Sequence, residues 1–74
     1  MTAKEMFERL GYEYNYYPNS HKIICFLNRD YEFHFVSNTI IFYKKQKTVK
    51  IEGYLNLKEL QAINKQVEEL GWKK

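Results

Sequence analysis

At 74 residues the chain has room for one domain, residues 1–74, and with a single cysteine and two histidines it excludes an intrachain disulfide and offers too few ligands for a structural zinc. A chain this small must find its stability elsewhere, and an aromatic content of 18% points to a dense aromatic core, to self-association, or to both. The net charge is only +3 while residues 44–50 alone hold four lysines, so the basic character is one local cluster rather than a property of the whole surface.

The first segment has the grammar of a helix. Thr2 and Glu5 are spaced as a capping box, and Ala3, Met6, Phe7 and Leu10 fall on one helical face. Gly11 supplies the left-handed stop, with Tyr12 behind it. The period then changes to two. Tyr12, Tyr14 and Tyr16 alternate with Glu13, Asn15 and Tyr17, and Pro18-Asn19-Ser20 reads as a turn.

Lys22 to Leu27 is an apolar strand, followed by a predicted turn at Asn28-Arg29-Asp30. A third strand is expected over 31–36, with Tyr31, Phe33 and Phe35 inward and Glu32 and His34 outward. Ser37-Asn38 reads as another turn, and Thr39 to Tyr43 as a further strand. Lys44 to Lys47 breaks the pattern, and 48–52 alternates as a short, charged edge strand ended by Gly53. Asn56 and Glu59 form a second capping box, and Leu57, Leu60, Ile63, Val67 and Leu70 trace an apolar stripe up to the stop signal Gly71-Trp72.

Short turns between successive strands imply an antiparallel meander. The predicted fold is α+β, of order α-β-β-β-β(-β)-α, with both helices packed on one face of the sheet. Two helices cover one face only. Yet Ile24 and Phe26 share a strand with Ile23, Cys25 and Leu27, and Thr39, Ile41 and Tyr43 share one with Ile40 and Phe42. The sheet therefore carries more apolar surface than the helices hide, and that excess points to dimerisation through the open face or an edge strand, to a protein partner, or simply to a small domain whose interior is too limited to cover every hydrophobe.

Little in the chain speaks for chemistry. It has no P-loop, no glycine-rich phosphate loop, no paired cysteines and no His-Glu-x-x-His. Cys25 lies in an apolar run, where a free thiol behaves as a small hydrophobe and suits a reducing compartment. No catalytic, cofactor-binding or metal-ligating residue is assigned, no small-molecule substrate is implied, and the expected class is non-enzymatic. No apolar run reaches the ~20 residues of a membrane span, so no membrane role and a cytoplasmic location are expected. One feature could carry binding: Lys44, Lys45, Lys47 and Lys50, flanked by Tyr43 and Tyr54, could track a nucleic-acid backbone while the rings stack on bases. The cluster has no arginine for bidentate phosphate contacts, and lysines on an edge strand also serve to block aggregation.

The two ends of the chain carry a resemblance. Phe7-Glu8-Arg9-Leu10-Gly11-Tyr12-Glu13 and the stretch from Leu57 to Trp72 are similar to the termini of short proteins encoded by phages and prophages of low-GC Gram-positive bacteria. The resemblance implies an accessory protein acting in a bacterial host, and it supplies no catalytic residues. The expectation is an interaction or self-association domain, homo-oligomeric or bound to a protein partner. The alternative is a small nucleic-acid-binding protein that uses 44–50.

Overall fold

The computed structural model describes the backbone of residues 1–31 and 34–72 and the side chains of residues 1–28 and 37–72. In chain order it holds α1 (Ala3–Arg9), β1 (Glu13–Tyr17), a 3-10 turn (Pro18–Ser20), β2 (Lys22–Tyr31), β3 (His34–Tyr43), β4 (Thr48–Glu52) and α2 (Leu57–Glu69). The strands form one antiparallel meander in the order β1-β2-β3-β4. The fold is α+β, and both predicted capping boxes are present, at Thr2–Glu5 and Asn56–Glu59. Neither helix is long and apolar enough to cross a membrane.

The four-stranded order α-β-β-β-β-α agrees with the expected fold, without the optional fifth strand, while two strand boundaries differ from it. The turn predicted at Asn28-Arg29-Asp30 is strand, and so is the one at Ser37-Asn38. Residues 22–31 are one strand and 34–43 another, so Tyr31 belongs to the first and residues 34–36 to the second, and 48–52 is the fourth strand. The predicted inward and outward placement of residues 31–36 lies outside the described side chains. The physical reason for the error is that Asn and Ser mark turns by bonding their own backbone, and here they do not. Asn28 stands opposite Ser37 in the ladder with both side chains exposed, so the polar pair sits on the solvent face of a strand. Asn38 is buried and bonds to a different part of the chain.

Register decides which side chains share a face. Tyr14, Cys25, Ile40 and Ile51 form one row across the sheet, and Tyr16, Ile23, Phe42 and Val49 the next. These rows carry the core: Ile23, Cys25, Ile40 and Phe42 are buried together with Phe7 of α1 and Ala62 of α2. Phe7 meets Tyr12 and Phe42 edge to face, at centroid separations of 5.4 and 6.2 Å. That is the favourable arrangement for ring quadrupoles. The residues between them, Ile24, Phe26, Thr39 and Ile41, point to the face without helices.

A buried polar cluster fastens α2 to the sheet. Glu59 uses one carboxylate oxygen to accept the Asn56 backbone N–H at 2.9 Å, which completes the helix cap. Its other oxygen accepts from the Tyr12 hydroxyl and, at 3.0 Å, from the Asn38 amide. The same Asn38 amide donates to the Tyr54 carbonyl at 3.0 Å and accepts from the Tyr54 N–H at 3.2 Å. Asn38 thus acts as a substitute strand partner for the loop between β4 and α2. Gly53 makes room for it: its φ is +112°, and a Cβ there would fall 2.1 Å from Asn38 Oδ1. One turn along α2 from Ala62, Gln66 is also buried and accepts from the Tyr14 hydroxyl.

Two predictions follow from this packing. Asn38→Ala should destabilise the domain by at least about 2 kcal/mol in urea unfolding, because it leaves buried groups of Tyr54 and Glu59 short of partners. Asn28→Ala, on the exposed face, should stay within about 0.5 kcal/mol of wild type. Burial also pushes the Cys25 thiol up from 9.0 to about 12 and the Tyr14 hydroxyl up from 10.0 to about 12, and raises Tyr12, where the Glu59 carboxylate adds to the effect. The fold therefore favours the protonated forms. Stability from these groups is complete below about pH 9 and falls as pH rises towards about 12, since the unfolded chain releases these protons first. An alkaline titration followed by circular dichroism should show unfolding in that window, and Cys25 should resist thiol reagents at pH 8 until denaturant is added.

Candidate interaction surface

The buried cluster sets the rotation of α2, and that rotation decides what the helix shows to solvent. Glu59, Ala62 and Gln66 face inward, at helical spacings of three and four. The predicted apolar stripe of Leu57, Leu60, Ile63, Val67 and Leu70 is centred about 100° round the helix from this buried line, at 3.6 residues per turn. Ile63, Val67 and Leu70 still pack partly against the core. Leu57 and Leu60 do not, so the expectation that the stripe is the buried face is corrected at its N-terminal end. The cause is that the carboxylate and amide of Glu59 and Gln66 find better partners inside than leucines would find on the same line, given Tyr12, Tyr14 and Asn38 opposite.

The result is an apolar corner. Ile51 is 44% exposed, Tyr54 95%, Leu57 69% and Leu60 50%; Met1 and, on β1, Tyr16 and Tyr17 are exposed as well. The first four come from the end of β4, the loop after it and the first turns of α2. β4 is also an edge of the four-stranded sheet, and none of the described residues pairs with its outer side. The three-residue spacing 51, 54, 57, 60 was visible in the sequence, but only the depth of Glu59 and Gln66 turns it into a surface.

The uncovered sheet face is milder than its composition promised. Ile24, Phe26 and Ile41 are only partly exposed, because neighbours on the same face shield them. Charge sits at its margins, with Glu13 and Glu52 ending one row and Lys22 in the row at the other end. Lys22 lies over the Tyr43 ring at 5.5 Å.

The basic segment is spread out rather than gathered. Lys44 folds onto the helix side, where its Nζ donates to the Tyr16 hydroxyl at 3.0 Å and lies 4.8 Å from that ring. Lys45 and Lys47 are exposed in the turn before β4, and Lys47 holds a left-handed φ of 56°. Lys50 projects from β4 beside Glu52, at 3.3 Å. Tyr43 belongs to the open face, and Tyr54 stands at the opposite end of β4 from the turn. The two tyrosines proposed to flank one cluster are thus separated by the length of a strand.

Other chemistry-bearing groups also stand apart. His21 is exposed at the left-handed position that closes the 3-10 turn, with φ 53°. Among the described residues no three His, Cys, Asp or Glu side chains gather to hold a metal. An open groove of about 470 Å³ runs between Lys4, Tyr14, Tyr16, Ile23, Lys44 and Leu70, and its walls are mainly apolar. Compared with known proteins, the chain matches no family model, no curated protein and no solved structure.

Proposed function

We propose that this chain is a non-enzymatic interaction domain that works by self-association; the resemblance to small phage and prophage accessory proteins supplies no catalytic residues against this reading. One observation carries the reading: α2 turns Glu59 and Gln66 inward and leaves Leu57 and Leu60, with Ile51 and Tyr54, in solvent. Keeping large aliphatic side chains wet while polar ones are buried forgoes about 1.5–3 kcal/mol per side chain. A second copy covering the corner recovers it. Two of the four lysines of 44–50 have local tasks in this reading, since Lys44 is held by Tyr16 and Lys50 by Glu52.

Analytical ultracentrifugation over a hundredfold range of concentration tests the reading. Wild type should pass from monomer to dimer, and Leu57→Lys and Leu60→Lys should each weaken association at least about tenfold, or about 1.4 kcal/mol. Both positions are exposed, so the monomer's circular dichroism and urea midpoint should hold. A wild type that stays monomeric throughout, or leucine variants that associate as well as wild type, would overturn it.

A further inference from the structure

Building on self-association, we infer that the second copy pairs with the first along β4, antiparallel about a two-fold axis at Ile51, to make one continuous eight-stranded sheet. Three features of β4 point there. It is an edge strand with no strand partner on its outer side among the described residues, and such an edge is the usual template for strand addition. Its helix-side residue Ile51 is half exposed, and Tyr54 and Leu57 follow it directly in the chain. Its solvent-side residues Lys50 and Glu52 have opposite charge and stand two apart.

The charges select the register. A two-fold axis perpendicular to the sheet keeps the helices of both copies on one side and sets each residue opposite a residue of like facing. Centred on Lys50, the pairing would oppose Lys50 to its own copy. Centred on Glu52, it would oppose two carboxylates. Centred on Val49, it would set Lys50 against Thr48, with no charge match, and the aliphatic Ile51 against Lys47. Centred on Ile51, the ladder runs over residues 50–52 of each copy, since Gly53 turns out of the strand with φ +112°; each Lys50 faces Glu52 of the second copy, giving two cross-strand ion pairs, and Ile51 meets Ile51 on the helix side. Directly opposite pairs of this kind are where strand partners interact most strongly. The intrachain contact of Lys50 and Glu52 is exchanged for an equivalent one between copies.

The other edge fits less well. Self-pairing of β1 about Asn15 would put Glu13 opposite Tyr17, with no charge match. The two in-facing tyrosines of β1 are already committed, Tyr14 to Gln66 and Tyr16 to Lys44. Pro18 follows β1 at once and cannot extend a ladder.

Charge reversal and cross-linking test the register on the full chain. Lys50→Glu and Glu52→Lys should each weaken the dimer about tenfold, and the double variant K50E/E52K should restore it, because the swap recreates both pairs. Ile51→Cys should form an intermolecular disulfide readily under mild oxidation, as opposed residues of antiparallel strands lie within bridging distance. Val49→Cys should not, since in this register each Val49 lies about 13 Å along the strand from its counterpart. Buried Cys25 makes the wild type the uncross-linked control. A wild-type dimer with no rescue by the charge swap, or with Val49→Cys cross-linking faster than Ile51→Cys, overturns the register and leaves self-association standing. A wild type that is monomeric at every concentration overturns both.

Discussion

The carboxylate of Glu59 is the point on which the rest of the structure depends. One of its oxygens closes the cap of α2, and the other takes the Tyr12 hydroxyl and the Asn38 amide. These contacts join the start of β1, the middle of β3 and the first turn of α2, elements that are far apart in the chain. Burying a carboxylate is costly unless hydrogen-bond donors replace its water, and here three donors do so, two of them on one oxygen. No buried side-chain polar atom among the described residues lacks a partner. The arrangement gives a small domain without disulfides or metal a rigid polar tie in place of a larger hydrophobic core.

That tie has a consequence at the surface. Once Glu59 is held, the line Glu59–Ala62–Gln66 must be the inner face of α2, and Leu57 and Leu60 are carried outward. The small Ala62 at the centre of that line lets the helix approach the sheet closely, and it is fully buried. The exposed corner is therefore not a packing accident at a frayed end. It is the geometric complement of a buried network that fixes helix rotation, and removing the network would remove the reason for the corner.

Local chemistry was legible in the sequence and distant pairing was not. Both capping boxes, the stop at Leu10-Gly11-Tyr12 and the two-residue alternation of β1 could be read directly, because each depends on residues within four positions of one another. Glu59 was legible as the third residue of a cap. Its second role was hidden, since nothing local to 56–59 indicates Tyr12, 47 residues away, or Asn38, 21 away. The same blindness cost two strand boundaries. Ser37-Asn38 has turn composition, and only the ladder to Asn28 and the reach of Asn38 to Tyr54 show that its polarity serves the sheet. The lysine cluster was legible as composition, but strand geometry divides it: alternation along β3 and β4 sends Lys44 and Lys50 to opposite faces.

The charge pattern of β4 follows from a conflict that every exposed edge meets. An edge of uniform sign repels all copies and protects against aggregation, but it forbids a specific dimer as well. An edge without charge admits every register. One lysine and one glutamate, two residues apart on the same face, do something narrower. They oppose like charges when the axis falls on either of them, give no pair when it falls at Val49, and match only when it falls between them at Ile51. The positive turn at 45–47 lies beyond the paired residues and adds repulsion to strands that slide further along. In the proposed dimer, two charges thus leave an aliphatic edge open to one symmetric partner while closing it to stacking, which is the specificity that self-association through an edge requires.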